Sequence, residues 1–248
     1  MTRIAIAKDS VVAGEFAADL IIEQVDRSPE TTLGIATGST PATTWTALRS
    51  RGVSLSGVTV FALDEYLGLP SDHPQSYKRV IEREVVGPLG ISRDRTFVPS
   101  AIGDPKEAAF AYERNIRKEG GVDLQVLGIG RNGHIGFNEP GSSLAGTTRV
   151  VTLSEQTRRD NSRFFPDLDA VPRRSITQGI GTILRARRLI LLAFGEHKAS
   201  AVTRAVEGPV TSAIPASAIQ LHPDATVIID RAAASMLTFT TENALLLG

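Results

Sequence analysis

The sequence contains no cysteine and lacks the features of a secreted or membrane protein. Without cysteine the chain cannot form a disulfide, a cysteine-ligated zinc site, an iron–sulfur cluster or a thiol nucleophile. No apolar run approaches the ~18 residues of a membrane-spanning helix. The N-terminal segment is interrupted by Lys8 and Asp9 and lacks the apolar core of a signal peptide. These absences predict a cytoplasmic protein without a membrane span.

Net charge and aromatic residues are also scarce. The 27 Lys and Arg residues balance the 27 Asp and Glu residues, so no global field draws the chain to nucleic acid or to an anionic membrane. Only 5% of the residues are aromatic, so aliphatic side chains must fill the core. At 248 residues the chain can bury such a core without disulfides or a metal. The composition therefore argues against a dedicated nucleic-acid-binding protein.

Short apolar runs alternate with helical patterns along the whole chain. The runs lie at 4–7, 33–37, 58–63, 122–129, 189–194 and 225–229, and helical spacing is clearest at 10–27, 106–120 and 196–208. Continuous apolar runs such as RLILLAF are typical of parallel strands covered on both faces. We predict an α/β fold with a single domain over residues 1–248. Its sheet should be doubly wound and mostly parallel, with helices on both faces.

The first chemically suggestive segment is the turn after the predicted strand at 33–37. Gly38, Ser39 and Thr40 precede Pro41 and a helix, and Ser39 or Thr40 can cap that helix. The glycine lets a ligand approach free backbone N–H groups at the helix N-terminus, which bind anions. The segment therefore predicts either an anion site or an ordinary helix cap.

Two adjacent carboxylates, Asp64 and Glu65, follow the predicted strand at 58–63. Open α/β sheets bind their ligands at the carboxyl ends of the strands. A carboxylate partly withdrawn from water there holds its proton more tightly, which suits a base that removes a proton from carbon. The alternative is a helix or turn cap, with Tyr66 an ordinary aromatic residue at the rim.

Two Gly/Pro-rich stretches, 128–146 and 207–223, are too long for ordinary connections, which predicts site loops or lids. The first begins with Gly128–Gly133, which matches the GxGxxG pattern of dinucleotide-binding proteins. That pattern must lead into a helix, whereas Pro140 and Gly141 interrupt any helix here. A Walker phosphate loop is excluded as well, because its lysine is missing.

The same stretch presents Asn132, His134 and Glu139 at the end of a predicted strand. A carboxylate near a histidine can fix the tautomer of the imidazole and raise its basicity, which favours acid–base chemistry. A metal site is not predicted, since no second histidine lies at ligand spacing and the chain has no cysteine.

Together these segments resemble the glucosamine-6-phosphate deaminase family, also called glucosamine-6-phosphate isomerases. The resemblance covers nearly the whole chain and rests on ordered motifs: TGSTP, LDEYLGLP with HPQSY, GIGRNGHIGFNEPGSS, NSRFF, ITQGIGTIL, FGEHKA and QLHPDATVIID. It implies a parallel α/β sheet of the predicted type. It also implies a hydrolase of amino-sugar breakdown that converts glucosamine 6-phosphate and water to fructose 6-phosphate and ammonia, without a metal or organic cofactor.

The resemblance also implies roles, carried over motif by motif. Asp64 corresponds to the base that moves a proton between C2 and C1 through a cis-enolamine. His134 corresponds to the residue that opens the pyranose ring by carrying a proton between the O1 hydroxyl and O5, with Glu139 as its orienting partner. Relatives have Asp or Asn at the position of Asn132. Because an amide cannot take up a proton, Asn132 is expected to position its neighbours by hydrogen bonds.

For the substrate phosphate the resemblance points to the turn Gly38, Ser39 and Thr40, to Arg163 of NSRFF and to Lys198 of FGEHKA. Helix N-terminal amides together with two cations suit a dianion. Without the resemblance, both cations could equally be ordinary solvated charges on helices.

Other functions stay open on the sequence. The 6-phosphogluconolactonases share this fold and a related Gly-His loop, but their pattern lacks Asn-Glu-Pro after it and has arginine at the position of Tyr66. A non-catalytic sugar-phosphate sensor is disfavoured, since the chain has no helix-turn-helix segment and retains Asp64 and His134. Galactosamine 6-phosphate is not excluded as the substrate.

The resemblance bears on regulation too. Some relatives form hexamers activated by N-acetylglucosamine 6-phosphate, whose phosphate binds between subunits through Ser, Arg, Lys and Thr. These places fall on Ser142, Arg149, Val151 and Thr152, so the lysine is replaced by an uncharged valine. The loss of one of two cations weakens the binding free energy of the activator's phosphate on the order of 1.5 to 3 kcal/mol. The sequence ends with ENALLLG, which leaves little C-terminal extension for contacts between subunits. We therefore expect a monomer or a low-order homo-oligomer with hyperbolic kinetics.

Overall fold

The computed structural model describes residues 2–70, 72–238 and 244–248. Ser71, which lies between the motifs LDEYLGLP and HPQSY, is outside the described residues, as are Glu242 and Asn243 of ENALLLG. The strands are β1 (Arg3–Ala7), β2 (Thr32–Ile35), β3 (Thr59–Ala62), β4 (Asp64–Leu67), β5 (Thr96–Phe97), β6 (Leu124–Gly128), β7 (Arg149–Thr152), β8 (Arg174–Thr177), β9 (Arg188–Ala193), β10 (Ala225–Asp230) and β11 (Ala244–Leu247).

The α-helices are α1 (Ser10–Arg27), α2 (Ala42–Ser50), α3 (Tyr77–Ile81), α4 (Pro105–Lys118), α5 (Glu155–Asn161), α6 (Ile180–Ile183) and α7 (Ala199–Val206). A π-helical turn follows α3 at Glu82–Val86, and 3-10 turns lie at Arg93–Arg95, Ser162–Phe164, Glu196–Lys198 and Pro215–Leu221. Within the described ranges, no helix combines the length and the apolar character needed to cross a membrane.

Eight strands form one sheet in the order β11-β1-β10-β9-β6-β2-β3-β5, and its strand pairs are parallel. The prediction of a mostly parallel sheet with helices on both faces is confirmed. A second sheet, β4-β8-β7, is antiparallel and was not predicted. The chain changes sheets between β3 and β4, at Leu63 and Asp64, so the first candidate carboxylate stands at the junction of the two sheets.

Strand β9 shows why a buried strand can be apolar at successive positions. Leu189, Leu191 and Ala193 belong to a core that also contains residues of α4, α6 and α7. Ile190 and Leu192 point to the opposite face and belong to a core shared with α1 and α2. Because successive side chains of a strand face opposite ways, a strand in a sheet covered on both faces buries both sets of its side chains, which favours a continuous apolar run.

The Gly/Pro-rich stretch 207–223 is not a lid, so that prediction is wrong for this stretch. Its segment Pro215–Leu221 is a 3-10 helix whose first five residues are buried. The backbone N–H of Ala216 donates to the carbonyl of Gly133 at 2.9 Å. The stretch 207–223 therefore packs against the loop 128–146. Of the two stretches, only 128–146 lines the cavity at the carboxyl ends of the central strands.

A buried glutamate ties three segments together on one face of the sheet. Glu113 of α4 is 4% exposed and accepts hydrogen bonds from the Thr148 amide at 2.9 Å, from the Thr148 hydroxyl at 2.7 Å and from the Thr182 hydroxyl. Arg185 donates to its other oxygen at 2.9 Å. Although burial alone would raise the pKa of Glu113, these hydrogen bonds and the charge of Arg185 lower it.

We expect Glu113→Ala to lower the free energy of unfolding by about 2 to 4 kcal/mol, because the amide and two hydroxyls lose their acceptor inside the protein. Urea unfolding followed by circular dichroism measures the change. The matched control is Glu155→Ala, which removes an exposed carboxylate paired with Arg159 and should change the stability by less than about 0.5 kcal/mol. Equal effects of the two substitutions would contradict the prediction.

Candidate active site

A cavity of about 590 Å³ opens at the carboxyl ends of the central strands β2, β3, β6 and β9. Its walls come from the turn after β2, the β3–β4 junction, the loop after β6, α5 with the turn that follows it, and the 3-10 turn before α7. The predicted site residues that line it are Gly38, Ser39, Thr40, Asp64, His134, Arg163 and Lys198. Asn132 and Glu139 lie behind His134 and do not line the cavity.

Asp64 is a buried carboxylate without a hydrogen-bond donor. It is 6% exposed, and no described residue donates a hydrogen bond to its side chain. Burial, followed by the negative charge of Glu65, raises the pKa of Asp64 well above its ordinary value. A carboxylate in this state holds a proton more tightly than one in water, and no donor from the described residues occupies its lone pairs.

Two glycines of the loop after β6 make room for the candidate acid–base groups. Gly136 has φ +54°, and a Cβ there would lie 2.9 Å from the Thr177 hydroxyl and 3.6 Å from the Asp64 carboxylate. At Gly130 a Cβ would lie 2.2 Å from the His134 ring. Side chains at these two positions would close the cavity over Asp64 or displace the imidazole, which explains the glycines on both sides of the histidine.

Glu65 has a structural role that its neighbour lacks. One of its oxygens accepts from the amides of Tyr66 and Tyr77, and the other from the amide of Lys78, each at 2.8 Å. The last two amides open helix α3, so Glu65 caps this helix through a long-range contact. Burial raises the pKa of Glu65, although these three hydrogen bonds oppose the shift. The alternative that this acidic pair caps a helix is thus right for Glu65, while Asp64 faces the cavity.

His134 stands beside Glu139 but is not hydrogen-bonded to it. The distance from His134 Nδ1 to Glu139 Oε2 is 3.8 Å, and the Thr157 hydroxyl lies 3.4 Å from the same nitrogen. Burial lowers the pKa of His134; the charge of Glu139 opposes this shift and that of Lys198 adds to it. The imidazole is therefore neutral at neutral pH, with a carboxylate close enough to stabilise the protonated form when it arises.

Glu139 is held as a carboxylate by several donors. Asn132 Nδ2 donates to Oε2 at 2.7 Å, and the Ser154 amide donates to Oε1 at 3.1 Å. Burial opposes ionisation, but the hydrogen bonds from Thr157, Ser154 and Asn132, together with the charge of His134, lower the pKa of Glu139. Asn132 also accepts from the His134 amide at 3.2 Å. This arrangement supports the predicted positioning role of the amide.

Tyr66, Tyr77 and Asn161, to which the sequence patterns gave no catalytic role, line the cavity together with Asp64. Tyr66 is 2% exposed rather than at the rim, so its prediction as a rim aromatic is wrong. Its hydroxyl receives hydrogen bonds from Asn161 Nδ2 at 2.9 Å and from the Tyr77 hydroxyl at 3.3 Å. Burial raises the pKa of Tyr66 to about 12, so the phenol stays protonated. The bond to Asn161 ties the acidic strand β4 to the end of α5, close to Arg163.

The turn Gly38, Ser39 and Thr40 does not cap the helix that follows. Helix α2 begins at Ala42 with Pro41 as its N-cap residue and has no side-chain cap, so the prediction of a Ser39 or Thr40 cap is wrong. Among the described residues, no acceptor receives the backbone N–H groups of Gly38, Ser39 or Thr40. They line the cavity and remain available to an anion.

Two cations stand next to this turn. Arg163, on the 3-10 turn after α5, is exposed and donates to the Ser39 hydroxyl at 3.1 Å. Lys198 Nζ donates to the carbonyl of Ile129 at 2.8 Å, and its pKa is lowered mainly by burial. We call the region formed by the turn at 38–40, Arg163 and Lys198 the cationic end of the cavity. It lines the same cavity as Asp64 and His134, and its free amides and two cations suit an anion.

The described residues contain no group of three or more His, Asp or Glu side chains arranged to hold a metal ion. The prediction that neither a metal nor an organic cofactor takes part stays a prediction.

Comparisons with known proteins show which family the chain resembles over most of its length. The family model for glucosamine-6-phosphate isomerases/6-phosphogluconolactonase matches residues 9–228. A glucosamine-6-phosphate deaminase of Streptomyces avermitilis is 52% identical over 241 residues, which cover 95% of this chain and 92% of that protein. A glucosamine-6-phosphate deaminase of Bifidobacterium longum is 50% identical over 251 residues, covering 96% and 93%.

Solved structures show the same relationship. A monomeric glucosamine-6-phosphate deaminase superposes with a TM-score of 0.92 at 40% identity, covering 94% of this chain and 99% of that one. A 6-phosphogluconolactonase of Trypanosoma cruzi superposes with a TM-score of 0.77 at 20% identity, covering 96% and 98%, a likeness of fold alone. The family expected from the ordered motifs is confirmed: the chain belongs to the family of glucosamine-6-phosphate isomerases and 6-phosphogluconolactonases.

Proposed function

We propose that the protein is an enzyme that isomerises and deaminates glucosamine 6-phosphate, giving fructose 6-phosphate and ammonia. One observation carries the proposal: Asp64, a buried carboxylate to which no described residue donates a hydrogen bond, and His134, a neutral histidine, face one cavity that the cations Arg163 and Lys198 also line. The relatives that are about half identical over most of the chain are named for this activity. We further propose that one domain spanning 1–248 carries it out in the cytoplasm.

The lactonase alternative is less well supported. Lactonases of this fold are only 20% identical to the chain in the superposition above. Tyr66, where the lactonase pattern has arginine, is buried and bonded to Tyr77 and Asn161. Asn138 of the Asn-Glu-Pro sequence is buried, and its Nδ2 donates to the carbonyls of Ile135 and Gln178 at 2.9 and 2.8 Å. Both residues that distinguish the deaminase pattern are thus built into the site.

In the proposed mechanism His134 begins the reaction by opening the sugar ring. A neutral imidazole can take the proton of the O1 hydroxyl and return it to O5, which breaks the C1–O5 bond and gives the free aldehyde. The imidazolium that forms in between is stabilised by Glu139, which stays ionised through its hydrogen bonds. Asn132 holds that carboxylate in place.

Asp64 then acts on the open chain. It removes the proton from C2 and returns it to C1, and the intermediate between the two steps is a cis-enolamine. The resulting imine at C2 adds water and releases ammonia, leaving the C2 ketone of fructose 6-phosphate. Because burial raises the pKa of Asp64, its ionised form is a stronger base than an ordinary carboxylate. Turnover should therefore fall as the pH drops through this raised pKa, above the usual carboxyl range.

The cationic end holds the phosphate. The free amides of the turn at 38–40 supply neutral donors, while Arg163 and Lys198 supply charge. This division leaves the reacting carbons at the other end of the cavity, next to Asp64 and His134.

We expect Asp64→Asn to lower kcat by about 10² to 10⁴-fold, since the amide cannot accept the C2 proton. Binding of fructose 6-phosphate should remain within about twofold, because the carboxylate does not hold the phosphate. Ammonia release and calorimetric binding measure the two effects, and Asp94→Asn, at an exposed site, is the control. Entry of solvent deuterium at C1 of the product at the normal rate would remove Asp64 from the role of base.

The same variant should be more stable than the original protein. A carboxylate whose pKa is raised on folding binds its proton more tightly in the folded state, so its ionisation above that pKa opposes folding. Asp64→Asn removes this penalty and should raise the free energy of unfolding at neutral pH on the order of 1 kcal/mol. Urea unfolding at neutral pH and near pH 4 tests the sign, because the gain should shrink in acid. A loss of stability at neutral pH would contradict it.

We also propose that the protein is a monomer or a low-order oligomer without activation by N-acetylglucosamine 6-phosphate. Arg149 is engaged inside the chain: its Nη1 donates to Asn138 Oδ1 at 2.7 Å and its Nη2 to the Ser142 hydroxyl at 3.0 Å. Val151, at the place of the lysine in activated relatives, brings no charge. The related solved deaminase is described as monomeric.

We therefore expect a hyperbolic dependence of the rate on glucosamine 6-phosphate, unchanged by N-acetylglucosamine 6-phosphate. Initial rates with and without the N-acetyl compound test this, and light scattering gives the oligomeric state under the same conditions. Sigmoidal kinetics that become hyperbolic on adding the compound would overturn the proposal, whatever the oligomer.

A further inference from the structure

The cationic end of the cavity holds another charged pair that the roles above do not use. Arg131, in the loop after β6, and Asp160, near the end of α5, both line the cavity. Arg131 Nη1 lies 3.9 Å from Asp160 Oδ1, and the arginine side chain is 54% exposed. Asp160 is itself held in place, since Gln156 Nε2 donates to its Oδ1 at 2.8 Å.

Among the described residues, the hydrogen-bond donors of Arg131 are unused. Within the described ranges its guanidinium makes no hydrogen bond, and its distance to Asp160 is too long for one. By comparison, the guanidinium groups of two paired arginines, Arg185 and Arg3, reach their carboxylates at 2.9 and 2.7 Å. An arginine that lines a cavity with its donors unused can bind an anion without breaking an existing hydrogen bond.

The charges at this end repel one another. The pKa of Lys198 is lowered first by burial, with Arg163 and Arg131 adding to the shift and Asp160 opposing it. His197 behaves in the same way: its pKa is lowered by burial and then by Lys198, Arg131 and Arg163. These groups are therefore close enough to feel each other's charge. A bound anion would relieve the repulsion.

The net formal charge of the cationic end matches that of a phosphate dianion with opposite sign. With His197 neutral, the cations Arg131, Arg163 and Lys198 together with the carboxylate of Asp160 leave a formal charge of +2. A phosphate monoester carries close to two negative charges at neutral pH. Without Arg131 the end would carry only one net positive charge, fewer than a phosphate dianion requires.

We propose that Arg131 is a third cationic ligand of the substrate phosphate and that Asp160 is its exchangeable counter-ion in the free enzyme. When the dianion enters, the guanidinium replaces its loose pairing with Asp160 by charge-assisted hydrogen bonds to phosphate oxygens. Asp160, held by Gln156, stays beside Lys198 and His197 and weakens phosphate binding, which favours release of the product. This inference rests on the proposed function insofar as the phosphate belongs to the sugar substrate.

The first test is Arg131→Gln, with inorganic phosphate as the calorimetric probe. We expect the Kd of phosphate and the KM for glucosamine 6-phosphate to rise by the same factor, about tenfold, because one charge-assisted ligand of the dianion is lost. kcat should stay within about twofold, since the reacting carbons are untouched. The matched control is Arg159→Gln, which changes an exposed arginine paired with Glu155 outside the cavity. An unchanged phosphate Kd in Arg131→Gln would overturn the proposal.

The second test is Asp160→Asn. Removing the competing carboxylate should lower the Kd of phosphate by about threefold, in the range of a partly exposed charge pair. If phosphate binds more weakly instead, Asp160 positions Arg131 and is not an exchangeable counter-ion, which overturns that half of the proposal. Circular dichroism of each variant establishes that the fold is intact.

The two proposals fail in different ways. If the unaltered enzyme releases no ammonia from glucosamine 6-phosphate while Arg131→Gln still loses phosphate affinity, the proposed function is wrong and the phosphate ligand stands. If ammonia is released normally and the phosphate affinity of Arg131→Gln equals that of the unaltered enzyme, the ligand assignment alone is wrong.

Discussion

The burial of Asp64, to which no described residue donates a hydrogen bond, is the constraint on which the rest of the site depends. It arises because the chain leaves the parallel sheet after β3 and pairs β4 with β8, which places the carboxylate at the junction of two sheets opposite Thr177. A donor there would stabilise the fold and weaken the base. The protein instead surrounds the carboxylate with a glycine at 136 and tyrosine rings, and leaves its oxygens to the cavity.

In β4, strand geometry gives adjacent residues different surroundings. Successive side chains of a strand point to opposite faces, so Asp64 and Tyr66 line the cavity while Glu65 turns away from it. Glu65 meets the first amides of α3 and becomes a helix cap. Two carboxylates that are alike in sequence therefore differ in function because of the direction in which the backbone presents them.

Much of the fold could be predicted because its central strands are largely apolar, as β9 illustrates, and the ordered motifs located Asp64, His134 and Lys198 in the sequence. The second sheet could not be predicted, since the DEYL sequence of β4 lacks the apolar pattern of a buried strand. The distance of 3.8 Å between His134 and Glu139 is set by the conformation of one loop. The loose pairing of Arg131 with Asp160 joins two segments that are far apart in the sequence. Local sequence patterns carry no information on either.

The two ends of the cavity are electrostatically linked through Lys198. Its positive charge adds to the burial that lowers the pKa of His134, so in the free protein the imidazole is a weaker base than it would be without the lysine. A phosphate dianion at the cationic end offsets that charge. In the proposed mechanism the imidazole then accepts the O1 proton more readily when a sugar phosphate is bound, while Glu139 supplies the opposite charge. The residues proposed to hold the substrate therefore also adjust the basicity of His134.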